Sequence, residues 1–166
     1  ARRLLDGQAV YVDDIHLPKL AHVAFVRSPY ASALIRSIHT EEARKAAGVL
    51  AVYTGEQLMR TVKPMHATLV HFKGMKAAMQ PCMAVDRALW QGEPVVAVVA
   101  ESIHQAIDAA QLVEVSYEPQ TAVTDMETAL DPATPVIHPE LGDNLCFSRE
   151  IDEGEFEESV KSSALL

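Results

Sequence analysis

Apolar and polar positions change in short blocks along this chain, and the blocks predict a mixed α/β fold of short strands and short helices. Residues 9–14 (Ala-Val-Tyr-Val-Asp-Asp) read as a short strand closing in a polar turn. Residues 20–28 form a strand with apolar groups on both faces, stopped by Pro29, and residues 33–39 form another, with Ile35 and Ile38 on opposite faces. Both strands are therefore expected to be partly covered on each side. A helix follows: Thr40 as N-cap, Glu41 and Glu42 in the first turn, Arg44 and Lys45 in the last, and Gly48 just beyond. That charge order complements the helix dipole and the glycine suits the stop. Val49-Leu50-Ala51-Val52-Tyr53 is a strand, and Thr54 with Gln57 is a capping box for one more short helix.

Residues 57–85 break the pattern: Met59, Met65, Met75, Met79 and Met83 fall here with Lys63, Lys73, Lys76, His66 and His71, and no Asp or Glu separates Glu56 from Asp86. With no sustained period, the stretch is expected to be a long irregular loop packed partly on the domain. It is either a place where a neighbouring domain or subunit lies, since methionine adapts to irregular surfaces, or a loose surface excursion. Regular structure returns with a strand over 85–90, a turn over 91–94, and the uninterrupted apolar run 95–100, which reads as a central strand covered on both faces. Ser102 with Gln105 opens a helix whose apolar stripe is Ile103, Ala106, Ile107, Ala110 and Val113. Residues 113–118 alternate as a half-buried strand stopped by Pro119, Thr124 with Glu127 caps a short helix ended by Pro132, and Asp152 with Glu155 caps a last acidic helix around Phe156 and Val160. The end, Ala164-Leu165-Leu166, has the look of an element that has been cut.

Composition narrows the class. A chain of 166 residues and 18.1 kDa is one domain, 1–166. Compact folding would leave roughly 8,100 Å² of surface exposed, enough burial for a core without metal or disulfide staples. No apolar run approaches a membrane span, and the Arg2-Arg3 pair is not followed by a signal-peptide apolar region, so a cytoplasmic location is expected. Cys82 and Cys146 lie 64 positions apart and cannot supply the four thiolates of an iron–sulfur cluster; reduced thiols are expected, the alternative being one long-range disulfide. Net charge is −9, split into +4 over residues 1–100 and −13 over 101–166, which argues against nucleic acid as the main partner.

Candidate chemistry is sparse. Glycines at 7, 48, 55, 74, 92, 142 and 154 make no phosphate-binding pattern, and there is neither a G-x-S-x-G elbow nor an H-E-x-x-H pair. His66, His71 and Cys82 are the one candidate metal cluster, but their spacing fits no familiar pattern and a fourth ligand is missing. Asp13 and Asp14 would point to opposite faces of a strand, so a turn or cap role is expected for them. Glu155, Glu157 and Glu158 read as a solvated helix face, and His104 as an exposed neighbour of a cap. Arg27-Ser28-Pro29-Tyr30, a polar-aromatic cluster ending a buried strand, is either a contact site or a structural turn. No catalytic, cofactor-binding or metal-binding residue is assigned.

Several segments, in order, resemble the N-terminal part of the large, molybdenum-binding subunit of the aldehyde oxidase/xanthine dehydrogenase family. They are Leu4-Leu5-Asp6-Gly7, Tyr11-Val12-Asp13-Asp14, Phe25-Val26-Arg27-Ser28-Pro29-Tyr30-Ala31, Ile35-Arg36-Ser37-Ile38, Gly48-Val49, Val52-Tyr53-Thr54-Gly55, Ala84-Val85-Asp86-Arg87, Gly92-Glu93-Pro94 running on to Glu101, Val115-Ser116-Tyr117-Glu118-Pro119, and Asn144 after Gly142-Asp143. They look most like bacterial carbon-monoxide-dehydrogenase-like large chains. The resemblance implies the α/β-hammerhead domain, a non-catalytic part of an oxidoreductase that is inactive alone and belongs to a longer large subunit. It implies, for the whole enzyme, a molybdenum–molybdopterin cofactor (cytosine dinucleotide) further along the large chain, and iron–sulfur clusters and FAD on partner domains or subunits. The partners it implies are the remaining molybdopterin-binding domains and, beyond them, the iron–sulfur and flavin subunits. None of the family's cofactor loops, nor its late catalytic glutamate, matches a segment here, so no such residue is carried over. Two other readings compete: a stand-alone protein-interaction module of the same fold without redox chemistry, and a metal-dependent enzyme using His66, His71 and Cys82.

Overall fold

The computed structural model describes residues 2–67, 69, 71–150 and 156–163. The chain opens with a single helical turn, α1 (Arg2–Leu5), and an extended arm that leads to β1 (His22–Arg27), β2 (Ala33–His39), α2 (Glu41–Lys45), β3 (Val49–Thr54) and α3 (Gly55–Met59). After the 57–85 stretch come β4 (Arg87–Ala88), β5 (Pro94–Ala100), α4 (Ile103–Ala110), β6 (Glu114–Pro119) and, beyond an irregular segment, α5 (Phe156–Ser162). The strands form two antiparallel sheets ordered β1-β5-β3 and β4-β2-β6. This is the mixed α/β architecture the periodicity predicts, divided between two small sheets.

The uninterrupted apolar run becomes β5, the central strand of the first sheet, as expected. Register places Ala24 and Val26 of β1 and Val52 of β3 on the face of Val96 and Val98. Val52, Val95, Val96, Val98, Ala43, Ala84 and Ala109 are the buried cluster, and Ile35, Ile38, Val115 and Tyr117 of the second sheet pack against it. Burying each of these valines is worth about 1.5–3 kcal/mol relative to exposure. The buried Met83–Ala84 segment is tied to the start of β5 by the Ala84 N–H donating to the Pro94 carbonyl, 2.8 Å.

Local signals fix several element ends. The Thr54–Gln57 capping box is reciprocal, with bonds of 3.4 and 3.1 Å. Ser102 accepts from the Gln105 N–H, but its hydroxyl then donates to Gln105 Oε1, so the glutamine reaches the cap hydroxyl instead of the cap backbone. Thr40 precedes α2, yet its hydroxyl accepts from Arg44 Nε, 3.0 Å, and not from the helix backbone. Gly48 holds φ +78 between α2 and β3, a conformation that favours glycine.

Five expectations are corrected. Ile35 and Ile38, expected on opposite faces of their strand, both pack on the core, because the register shift between Ile35 and Ser37 brings them to one face. Residues 9–14 are not a strand: they hold a single 3-10 turn, Val12–Asp14, in an arm where Leu5 is 85% and Val12 83% exposed. No strand among the described residues pairs with them, and Asp14 accepts the Tyr11 N–H at 2.9 Å, the local bond by which aspartate competes with a ladder. The 85–90 strand shrinks to Arg87–Ala88 because the next residue, Leu89, gives its N–H to the Glu93 side chain. Residues 124–132 form turns and no helix; Asp125, not Thr124, takes the Glu127 N–H and the Thr128 hydroxyl, each at 3.0 Å. On α4 the buried stripe is Ala106 and Ala109, while Ile103 and Ile107 face outward, Ile107 being 45% exposed. The Asp152–Glu155 cap and Ala164–Leu166 lie outside the described residues, but the helix expected around Phe156 and Val160 is present as α5.

The exposed surface is 12663 Å², over half again the roughly 8,100 Å² of a compact monomer of this mass. An apolar arm and open faces account for part of this surface.

Candidate functional site

Pro29 ends β1 at the Arg27–Tyr30 cluster, and the structure shows this cluster to be the clamp of a turn. Ser28, 2% exposed, donates its N–H to the Glu93 carbonyl at 2.9 Å and accepts from the Gly92 N–H at 2.8 Å. Arg27 Nη1 donates to the Gly92 carbonyl at 2.8 Å. The Ser28 hydroxyl donates to the Tyr30 carbonyl at 2.9 Å and accepts the Tyr30 N–H at 3.1 Å. The Tyr30 ring stands edge-on to Tyr117 at 5.5 Å. The Tyr117 hydroxyl is buried without a well-formed hydrogen bond, and burial pushes its pKa up, offset in part by the nearby Ser28.

What the clamp holds is Glu93. Gly92 takes φ +90, turning the chain so that the Glu93 side chain folds back over its own turn. Glu93 is 2% exposed, and its Oε2 accepts the Leu89 N–H at 2.6 Å. Burial holds the carboxyl above its ordinary range, and hydrogen bonds from the Leu89 and Trp90 backbones counter this only in part.

Glu93 lies at the floor of a cleft walled on one side by the 57–85 stretch. One cavity of ≈ 350 Å³ is lined by Met59, Met79, Asp86, Arg87, His138 and Glu140 among others. A second, ≈ 260 Å³, shares Met79, Leu89, Glu93 and His138 and adds Trp90 and Cys146. The 57–85 stretch is irregular as expected, and it is tied down against the 137–147 segment. Met65 and Gln80 pair across it with two 2.8 Å bonds, the Lys76 ammonium pairs with the Asp143 carboxylate, the Lys76 N–H donates to the Cys146 carbonyl at 2.8 Å, and Phe72 packs on Phe147 at 4.8 Å. The segment it meets is organised by Asn144, which accepts from the Ile137 N–H and donates to the Ala129 and Pro135 carbonyls at 2.8–3.0 Å. Lys76 is thus spent inside the chain and is not free for a partner.

The other candidates disperse. His66 Nε2 lies 3.1 Å from the Ala77 carbonyl, His71 leans on Phe72, and Cys82 is exposed. Among the described residues no group of three or more His, Cys, Asp or Glu side chains is placed to hold a metal. Cys82 and Cys146 are both free thiols. Asp14 serves its turn, and Glu157 and Glu158 are exposed in the first turn of α5, with Glu155 outside the described residues. His104 is exposed on α4. Glu93 and the cleft escaped the sequence reading; the available signal was a glutamate between a glycine and a proline directly before the most buried strand, a place where a carboxylate cannot reach solvent. The cleft has methionine and proline walls, with carboxylates at its edge.

Comparison with known proteins identifies the domain. Residues 6–121 match the family model of the aldehyde oxidase and xanthine dehydrogenase a/b hammerhead domain. The carbon monoxide dehydrogenase large chain of Afipia carboxidovorans is 36% identical over 143 residues, 86% of this chain and 17% of that one. The nicotine 6-hydroxylase large subunit of Paenarthrobacter nicotinovorans is 34% identical over 97% of this chain and 20% of that one. The crystal structure of quinoline 2-oxidoreductase from Pseudomonas putida 86 superposes with a TM-score of 0.83 at 35% identity, covering 98% of this chain and 20% of that one. The chain therefore spans about a fifth of the length of the curated relatives it matches. It belongs to the aldehyde oxidase and xanthine dehydrogenase family, as that family's a/b hammerhead domain.

Proposed function

We propose that this chain is the non-catalytic hammerhead segment of a molybdenum hydroxylase large subunit, of carbon monoxide dehydrogenase or aldehyde/xanthine dehydrogenase type, and that it scaffolds contacts to the rest of that subunit and to its partners. The observation that carries the reading is the uncovered surface: 12663 Å² exposed, roughly 4,600 Å² above a compact monomer, is of the scale of permanent protein interfaces. Relatives named as large, molybdenum-binding or complex subunits support the same assignment. In the whole enzyme the reading calls for a molybdenum–molybdopterin cytosine dinucleotide elsewhere in the large chain and for iron–sulfur clusters and FAD on other domains or subunits.

The residues described here do not fit those groups. Their His, Cys, Asp and Glu side chains gather into no donor set of three, and no glycine-rich phosphate cradle opens onto a helix. No redox step is therefore assigned to this chain. A cytoplasmic setting is part of the proposal, supported by two free cysteines. Among the described residues no helix is long and apolar enough to cross a membrane.

The test uses the source organism. An antibody raised against this chain is expected to detect a polypeptide roughly five times its length, given that the chain covers 17–21% of its relatives. Molybdenum is expected to co-elute with that polypeptide. A free 18.1 kDa polypeptide without molybdenum would overturn the proposal in favour of a stand-alone interaction module.

A further inference from the structure

We propose that the cleft above Glu93 receives a cationic, apolar peptide segment of a partner subunit, seating an aliphatic side chain between the methionines and a Lys or Arg against the cleft's carboxylates. The inference rests on the reading of this chain as a contact-making domain and adds the chemistry of what is contacted. The walls are apolar and deformable: Met59 and Met79 with Pro64, Pro81 and Ile137. Thioether side chains re-pack around irregular apolar partners, and acidic, methionine-lined grooves suit basic amphipathic segments.

Charge selects the partner. Asp86 and Glu140 are exposed at the rim and Glu93 lies at the floor. Along the two cavities these three carboxylates meet two cations, Arg87 and Lys76; the Lys76 ammonium is already paired with Asp143, and His138 lies 3.5 Å from Glu140. The Asp86 carboxylate makes no ion pair among the described residues. An acidic segment would add like charge over a buried carboxylate, whereas a Lys or Arg would complete Asp86 and Glu140. The shape favours a chain over a small molecule. The ≈ 350 Å³ and ≈ 260 Å³ cavities share Met79, Leu89, Glu93 and His138, so they run on from one another, and the polar groups are spread along the run. The cleft is also preformed, because Lys76 with Asp143 and Phe72 with Phe147 already fix its movable wall. Little ordering cost is left for binding.

The probe is a fluorescein-labelled synthetic peptide of alternating Leu and Lys, titrated with the 166-residue chain by fluorescence anisotropy, with methyl NMR of the methionines as the map of the site. The peptide is expected to bind and to shift the Met59 and Met79 methyls. Asp86→Lys with Glu140→Lys is expected to weaken binding by about tenfold or more, as is raising the salt, since rim charges act through screened attraction. Asp86→Asn with Glu140→Gln, which leaves the cleft's shape intact, is expected to give a smaller loss in the same direction. Equal binding of a Glu-for-Lys peptide, unchanged affinity in both variant pairs, or shifts confined to other methionines would overturn the proposal. So would benzylamine shifting Met59 and Met79 where the peptide does not, which marks a small-molecule pocket. Self-association abolished by the charge reversal, without peptide binding, would mark a second copy as the occupant and equally overturn it. Failure here with the long molybdenum polypeptide still found removes the cleft assignment alone; the converse removes the scaffold reading.

Discussion

Glu93 is where the structure puts most weight on one side chain. Its Oε2 takes the Leu89 N–H at 2.6 Å in a turn that Ser28 and Arg27 hold against β1. In Glu93→Ala that part-buried donor loses its acceptor, which costs about 1–3 kcal/mol. The vacated space joins the cleft, so water enters and a closed-cavity penalty is not added. The melting temperature should therefore drop by roughly 2–12 °C, at about 2–4 °C per kcal/mol for a chain of this size. Glu93→Gln keeps an oxygen for Leu89 and removes the charge, so it separates hydrogen bonding from ionisation. Burial raises the Glu93 pKa in the folded state above its ordinary 4.5. Between that value and the raised one the folded chain holds a proton that the unfolded chain has lost. Stability contributed by Glu93 therefore falls as pH rises through this window and returns on acidification. Chemical denaturation of wild type and Glu93→Gln across mildly acidic to neutral pH is the assay, with the difference between them as the reading. Wild type should gain on Glu93→Gln as the pH is lowered through the window. A difference that is flat, or that grows in favour of wild type as pH rises, would show that the Leu89 and Trp90 bonds outweigh burial, and would refute the reasoning.

A methyl group added at Gly55 would overlap the Ala84 carbonyl and crowd the Met83 carbonyl, both backbone. Overpacking of this kind costs about 1–3 kcal/mol, reduced by about 0.4–1 kcal/mol from the stiffer unfolded chain, so Gly55→Ala should lose roughly 1–2 kcal/mol in urea denaturation; an unchanged midpoint would mean that Ala84 moves freely. Tyr117→Phe removes a buried hydroxyl that makes no well-formed bond and should leave stability unchanged or slightly raised, within about 0.5 kcal/mol, whereas a loss above about 1 kcal/mol would reveal a working bond to Ser28. The Asp143 carboxyl is held below its ordinary value of 3.8, first by Lys76 and then by the Leu145 N–H. Asp143→Asn should therefore make the 57–85 stretch more sensitive to limited proteolysis at neutral pH, and in wild type the same sensitivity should appear as pH falls below 3.8 through the lowered folded value.

Elements whose partners lie within the chain were legible. β5 was read from an unbroken apolar run, α3 and α4 from Thr54 and Ser102 with the residues that follow them, and α2 from its charge order and Gly48, its Thr40 hydroxyl taking Arg44 instead of the helix backbone. A capping box is a local bond, and a central strand needs nothing beyond its own β-branched side chains and neighbours. The 57–85 stretch was legible as irregular, but its anchoring was not. Lys76 meets Asp143 and Phe72 meets Phe147 from more than sixty residues away, and nothing local encodes such a pairing. The cleft was missed for the same reason: Glu93 and Met59 line one cavity though they are distant in sequence.

The wrong expectations have a different origin. The 9–14 strand and the Ile103–Ile107 stripe were inferred from apolar residues that the pattern treats as core and that the fold leaves in solvent. Val23 and Phe25 of β1 and Tyr53 of β3 repeat the case. Register sets them on one face of the first sheet, opposite the core face of Val96 and Val98, and all three are substantially exposed. Compact monomers seldom leave contiguous apolar surface of more than a few hundred Å² uncovered. A chain under selection only for its own solubility would carry polar residues on such faces. The periodicity marks these residues as apolar positions of regular elements, and within this chain they stay exposed. The sequence errors and the surplus surface thus have one explanation under the proposed scaffold role: protein outside this domain would complete its hydrophobic pattern.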